Sequence, residues 1–234
     1  MKKIEIIWRE LLYQAIEKRT RQFTQKEVAA KFGFSTSTVF QALKAPRKMG
    51  AVRVSGRFFV LEDPEKLLYH WASIRNPGKE IILSGRVELP LYEIEGRMPP
   101  NIVYGGFSAA RTLLGGEVPA DYDKVYVYLK LKTPRQRTGK QNSLQFGRAK
   151  GRAGGQAKLK IKEQNSDMVR ALQERFEITK GIPNLFVLRA DEFLAQYGQT
   201  TSLAQTFADL WNLSEWYAKE FIKTLKGKID GLLS

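Results

Sequence analysis

The chain has 234 residues, 39 Lys or Arg against 24 Asp or Glu, a formal charge of +15, a single histidine and no cysteine. Its length suits one large or two modest domains, of which two is the expectation here, and such a chain can bury enough apolar surface to fold without disulfides or a structural metal. Disulfides, thiolate zinc sites, iron-sulfur clusters and cysteine nucleophiles are excluded, imidazole-based metal and serine hydrolase sites have only His70 to draw on, and the charge points to a polyanionic partner.

No apolar run reaches the roughly 18 residues of a membrane span, and Arg9 and Glu10 interrupt the one stretch that imitates a signal peptide, so a soluble, cytoplasmic protein is expected. In chain order, Ile4, Ile7, Leu11, Leu12, Ala15 and Ile16 recur at the helical period, with Glu5, Arg9, Glu10, Gln14 and Lys18 predicted on a polar opposite face. Thr24 and Glu27 form a capping-box pair that opens a second helix through Val28, Ala29 and Phe32, which stops near Gly33. Ser35 is the N-cap candidate of a third helix whose apolar positions are Val39, Phe40, Leu43 and Met49. Pro46 lacks a backbone donor and biases Ala45 away from helical angles, which predicts an early end or a kink before Arg47.

After Gly50, Ala51 to Val54 reads as a strand, Ser55 and Gly56 as a turn and Arg57 to Leu61 as the returning strand. Three helices, two of them joined by a tight turn, followed by a hairpin make a winged helix-turn-helix. The phrase from Thr24 to Val52, including Gln25, Glu27, Val28, Ala29, Phe32, Ser35, Thr38, Val39, Ala42, Leu43, Gly50 and Ala51, resembles winged helix-turn-helix transcription regulators. Residues 1–62 carry thirteen Lys or Arg against five Glu. The candidate DNA-binding residues are Ser35, Thr36, Ser37, Thr38, Gln41 and Lys44 for bases and phosphates at the third helix, with Arg47, Lys48, Arg53 and Arg57 placing charge along its end and the wing. A protein-binding winged helix or a solvated basic face is the alternative.

Residues 63–80 form a linker helix opened by Asp63 and Pro64, with Leu67, Leu68, Trp71 and Ala72 inside and His70 in a packing role. Residues 81–234 are expected to be an α/β domain, so the whole chain reads as α+β. Ile81 to Leu83 and Val87 to Leu91 look extended around Ser84 and Gly85. Ile102 to Tyr104, the turn at Gly105 and Gly106, a small-residue helix from Ala109 to Leu114, then Asp121, Tyr122, Asp123 and a strand from Val125 to Leu131 give a strand-turn-helix-strand core like that of nucleotidyltransferases. In that superfamily paired carboxylates hold magnesium, which makes Asp121 and Asp123 the catalytic alternative. Against it, Lys124 places a cation beside the carboxylates, and no acidic residue occurs between Lys124 and Lys162. The main reading is therefore not an enzyme and takes no metal or cofactor.

Gly105, Gly106, Ala109, Ala110, Leu113, Gly115, then Val125, Tyr126 and Val127 resemble the Gly-x-x-Ala-Ala, Leu-x-Gly and Tyr-Val phrase of AbiEi-type antitoxins, and the stretch from Ala208 to Phe221 is similar to that family's ending. The resemblance implies a winged N-terminal domain, repression of its own operon through upstream inverted repeats, and opposition to a separately encoded nucleotidyltransferase toxin. It also implies that the Gly105, Gly106 turn serves chain geometry rather than phosphate. The expected partners are double-stranded DNA and, functionally, the toxin; no membrane is among them, and inverted repeats call for a dimer or two adjacent monomers on DNA.

A basic, glycine-rich loop at 132–162 offers Arg135, Arg137, Lys140, Arg148, Lys150 and Arg152 for nonspecific nucleic-acid contact, with surface insertion as the alternative; a module that binds RNA through this loop is a weaker option. Beyond it, Met168 to Ile178 predicts a helix, Leu185 to Leu188 a strand, Asp191 to Tyr197 a short helix and Leu203 to Leu210 another. The final helix, Trp216 to Leu233, carries the core stripe Tyr217, Phe221, Leu225 and Ile229.

Overall fold

A computed structural model of the chain describes residues 1–131 and 167–234, where helices and two β-sheets make a mixed α+β fold. Helix α1 (Lys3–Glu17) buries Ile7, Leu11, Leu12, Ala15 and Ile16, as its period requires, and leaves Ile4 half-buried, but Ile6, Glu5, Arg9 and Glu10, outside that period, are buried as well. The predicted polar face is therefore not a solvated one. Helices pack on α1 from several sides, and each inward charge meets a partner. Arg9 is fully buried and donates from both terminal nitrogens to Asp191, at 2.7 and 2.8 Å, with Gln205 Oε1 at 3.1 Å and the Tyr197 ring against its guanidinium. Glu10 accepts from Lys31 and from the Tyr197 hydroxyl, and Glu5 accepts from the Trp71 indole.

Strand β1 (Gln22–Phe23), too short to leave a periodic signal, leads into α2 (Gln25–Phe32). Both reciprocal bonds of the Thr24, Glu27 capping box form at 3.1 Å, and Gly33 ends α2 with φ +62°. Helix α3 (Thr36–Lys48) runs through Pro46 rather than ending before Arg47. Proline cannot donate to the carbonyl four residues back, that of Ala42. The Trp8 indole of α1 fills this vacancy, donating to the Ala42 oxygen at 2.7 Å. Beyond Pro46, Gly50 at φ +75° donates to the Arg47 carbonyl and Ala51 to that of Pro46, closing the helix. Strands β2 (Val52–Ser55) and β3 (Phe58–Leu61) pair antiparallel through a turn at Gly56 and Arg57, one residue later than predicted because Ser55 still pairs with Phe58, and β1 lies on the far side of β3.

Helix α4 (Pro64–Ile74) is capped by the Asp63 carboxylate and packs its Leu67, Leu68, Trp71 and Ala72 side inward. The second sheet has the order β4 (Ile81–Gly85), β7 (Leu185–Arg189), β6 (Val125–Leu129), β5 (Ile102–Gly105), with β6 and β7 parallel and the outer pairs antiparallel. Strand β4 continues through Ser84 and Gly85, where a break was predicted: a Cβ on Gly85 would lie 2.2 Å from the Ile178 side chain, so glycine there permits a close crossing. The extended piece predicted over Val87 to Leu91 gives way to helix α5 (Leu91–Gly96), begun by Pro90, whose carbonyl accepts from Glu93 and Ile94.

Every residue of β6 is buried, because the sheet is covered on both faces. Val125, Val127 and Leu129 pack with α5 and with α7 (residues 167–176). Tyr126 and Tyr128 face α6 (Gly106–Leu113), α8 (Leu203–Leu210) and α9 (Ala218–Leu233), in an apolar core continuous with that around α1 and α4. The predicted stripe of Phe221, Leu225 and Ile229 lies in that core. Between Asp191 and Tyr197 the short helix is a single 3-10 turn over Leu194–Tyr197. No helix among the described residues is long and apolar enough to cross a membrane.

Removing the Trp8 donor leaves the buried Ala42 carbonyl bare, so Trp8→Phe is expected to cost about 1–3 kcal/mol in urea unfolding. In a Pro46→Ala background the restored backbone donor should shrink that loss; equal losses in both backgrounds would sink the account. For Asp191, burial disfavours the carboxylate, but the hydrogen bonds and charge of Arg9 outweigh it and hold the group below the usual aspartate range. A depressed folded pKa stabilises above the unfolded value near 4 and loses that contribution as pH falls through the folded value. Asp191→Asn should therefore destabilise by about 3–5 kcal/mol at pH 7, by stranding Arg9, and the gap to wild type should narrow below about pH 4.

Candidate nucleic-acid interface

Helix α3 presents two unlike faces. Val39, Ala42, Leu43 and Pro46 are buried against the core, while Thr36, Ser37, Phe40, Gln41, Lys44, Arg47 and Lys48 are exposed. The four hydroxyls predicted at its N-terminus are not equivalent. Ser35 Oγ caps the helix, accepting from the Thr38 backbone at 3.2 Å, and lies 2.8 Å from Ser37 Oγ and 2.9 Å from Thr38 Oγ1. Ser35, Ser37 and the half-buried Thr38 thus share the hydrogen bonds that hold the turn, whereas Thr36 and the outer side of Ser37 face solvent with the first backbone N–H groups, where the helix dipole favours an anion.

Phe40 departs from expectation. Its predicted place was the apolar side of α3, but it is 40% exposed, on the same face as Lys44, whose ammonium lies 5.6 Å from the centre of its ring. Val39 and Leu43 suffice to anchor the helix, and Phe40, one residue on from Val39, is turned about 100° away from it.

The β2–β3 hairpin carries the remaining predicted cations. Arg53 donates from Nε to Glu62 at 2.6 Å, which ties it along the hairpin, whereas Arg57 is exposed beside the turn formed at Gly56. No salt bridge among the described residues engages Lys44, Arg47, Lys48 or Arg57. Between Glu27 and Glu62 the chain has no carboxylate side chain, yet it carries Lys31, Lys44, Arg47, Lys48, Arg53 and Arg57. Helix α3 and the β2–β3 hairpin thus contribute cations and no carboxylate of their own, and the exposed Glu62 just after β3 is paired with Arg53. Arg135, Arg137, Lys140, Arg148, Lys150 and Arg152 lie outside the described residues.

The second candidate centre holds different chemistry. Asp121 is exposed, Asp123 accepts from the Tyr217 hydroxyl, and Lys124 is paired with Glu215, which also accepts from Tyr126 at 3.2 Å. The buried Glu95 accepts from Tyr122 at 3.0 Å and from Arg111 at 2.6 Å. No group of three or more acidic or histidine side chains able to hold a metal ion occurs among the described residues. His70 packs edge-on against Trp8 with ring centres 5.1 Å apart, and burial lowers its pKa.

The predicted Gly105, Gly106 turn is a direct strand-to-helix junction, with Gly105 ending β5 and Gly106 opening α6 three residues before the predicted start at Ala109, and it is shaped by tyrosines. A Cβ on Gly105 would lie 2.8 Å from the Tyr128 ring, and Gly106 has φ +52° with Tyr126 3.1 Å from where its Cβ would be. Packing thus calls for glycine at 105, and the left-handed backbone together with the close Tyr126 ring favours it at 106. Neither a protein-family model, a curated protein nor a solved structure matches the chain.

Gly105→Ala is accordingly expected to lower stability by about 1–3 kcal/mol through overpacking. The loss should be the same with and without nucleotide and magnesium in the melt; a loss confined to nucleotide affinity at unchanged stability would contradict the packing account.

Proposed function

We propose that this chain is a DNA-binding transcriptional repressor in which residues 1–62 act as a winged helix-turn-helix. Helix α3 enters the major groove, and the β2–β3 hairpin lies along the neighbouring phosphates. The observation that carries the reading is that α3 and the hairpin contain no carboxylate of their own, with Lys44, Arg47, Lys48 and Arg57 exposed and outside any salt bridge among the described residues. The tight connection from Gly33 to Ser35 between α2 and α3 has helix-turn-helix spacing. Gln41 offers the donor and acceptor pair that matches an adenine edge, Thr36 and Ser37 can meet phosphate at the helix start, and Arg57 at the wing tip can grip the backbone.

The remainder of the chain is read as an α/β domain whose β5, α6 and β6 follow a nucleotidyltransferase-like order, with the glycine turn kept for packing. The resemblance to AbiEi-type antitoxins extends the reading: the repressor binds repeats upstream of its own operon and opposes a separately encoded nucleotidyltransferase toxin. Two winged domains, from a dimer or from two monomers side by side, would occupy the repeats. None of this requires catalysis.

Fluorescence anisotropy on a duplex from upstream of the protein's own gene, beside a scrambled duplex, tests the reading. The expected preference for the native duplex is about a thousandfold or more. Lys44→Ala and Arg57→Ala should each lower the slope of log affinity against log salt by about 1. Equal affinity for both duplexes across the salt series would overturn the proposal and leave only a phosphate grip.

A further inference from the structure

Phe40 leaves a large part of its ring open to solvent in the middle of a polar, cationic strip. Phe40 is 40% exposed, Thr36 and Lys44 stand one helical turn to either side of it, and Gln41 adjoins it. Its buried neighbours Val39 and Leu43 hold α3 without it. The Lys44 ammonium against the ring keeps an apolar face and a cation together on the outermost line of the helix.

In a major groove the base edges offer mostly donors and acceptors; the one apolar group on the floor is the C5 methyl of thymine. A phosphate contact would not want an aromatic ring, and a guanine or cytosine edge would leave its donors and acceptors unmet against one. We infer that Phe40 is a specificity-determining residue which packs against a thymine methyl, so that the preferred duplex carries thymine at that contact, with Lys44 reaching the adjoining backbone. This rests on the DNA-binding reading above and narrows it to one chemical group of the target.

The test uses duplexes selected from a random pool by the wild-type protein. Each thymine is replaced in turn by deoxyuridine, which keeps the base pair and the charge and removes one methyl. At one or more positions the wild-type affinity should fall about fourfold, the factor for one buried methyl-sized group. Phe40→Ala should bind the thymine and deoxyuridine duplexes alike at those positions, with helix content close to wild type as the control that the variant is folded. Phe40→Leu, which keeps an apolar tip, should retain part of the discrimination. Insensitivity of wild type to every replacement, or sensitivity that survives in Phe40→Ala, would overturn the role of Phe40 while leaving DNA binding intact. A pool that yields no enriched duplex would overturn the DNA reading itself, and this inference with it.

Discussion

A guanidinium sealed in the centre of a helix constrains everything around it. Arg9 sits in the middle of α1 with no exposed surface, and an ion in that position is tolerable only with a counter-charge and hydrogen bonds in place. These come from Asp191 and Gln205, nearly two hundred residues further along the chain. The first helix is therefore completed by the last third of the protein. Arg75 repeats the arrangement at the end of α4: it donates to Asp209 of α8, to Glu80 and to the Tyr128 hydroxyl of β6, and Tyr128 donates in turn to Asp209. Two buried cations thus fasten α1 and α4 to the helices and sheet that follow.

Much of this architecture was legible in the sequence. The Thr24, Glu27 box, the Gly33 stop, the hairpin turn at Gly56, the bounds of α8 and the α9 stripe follow from local rules that the tertiary structure did not need to override. What escaped did so for identifiable reasons. A single periodicity reports one apolar face, so the charged residues of α1 read as solvated although neighbours cover that side too. Strand β1 is two residues long and exists through its pairing with β3. Gly85 reads as a turn residue, yet its role is to let the segment at Ile178 pass closely.

The candidate interface divides in the same way. Its charge was visible, because the absence of carboxylates between Glu27 and Glu62 is a property of composition. How the charges are spent was not: Arg53 is committed to Glu62, and Ser35 to its own helix. Phe40 was misplaced because an aromatic next to Val39 in a helical pattern is ordinarily counted with the core. Only the position of α3 against α1 reveals which of the two points outward.

That position has an unusual origin. Apolar contacts alone let a helix roll about its axis or slip by part of a turn at modest cost, since one methyl replaces another. A hydrogen bond from a fixed indole to a single carbonyl permits neither movement. Pro46 leaves the Ala42 oxygen vacant, and Trp8 claims it. The proline that looked like a flaw in α3 thus works as a keyway, with the tryptophan as the key. The angular setting of the outward side chains, and so the order in which Thr36, Phe40 and Lys44 meet anything placed against them, is decided on the hidden side of the helix.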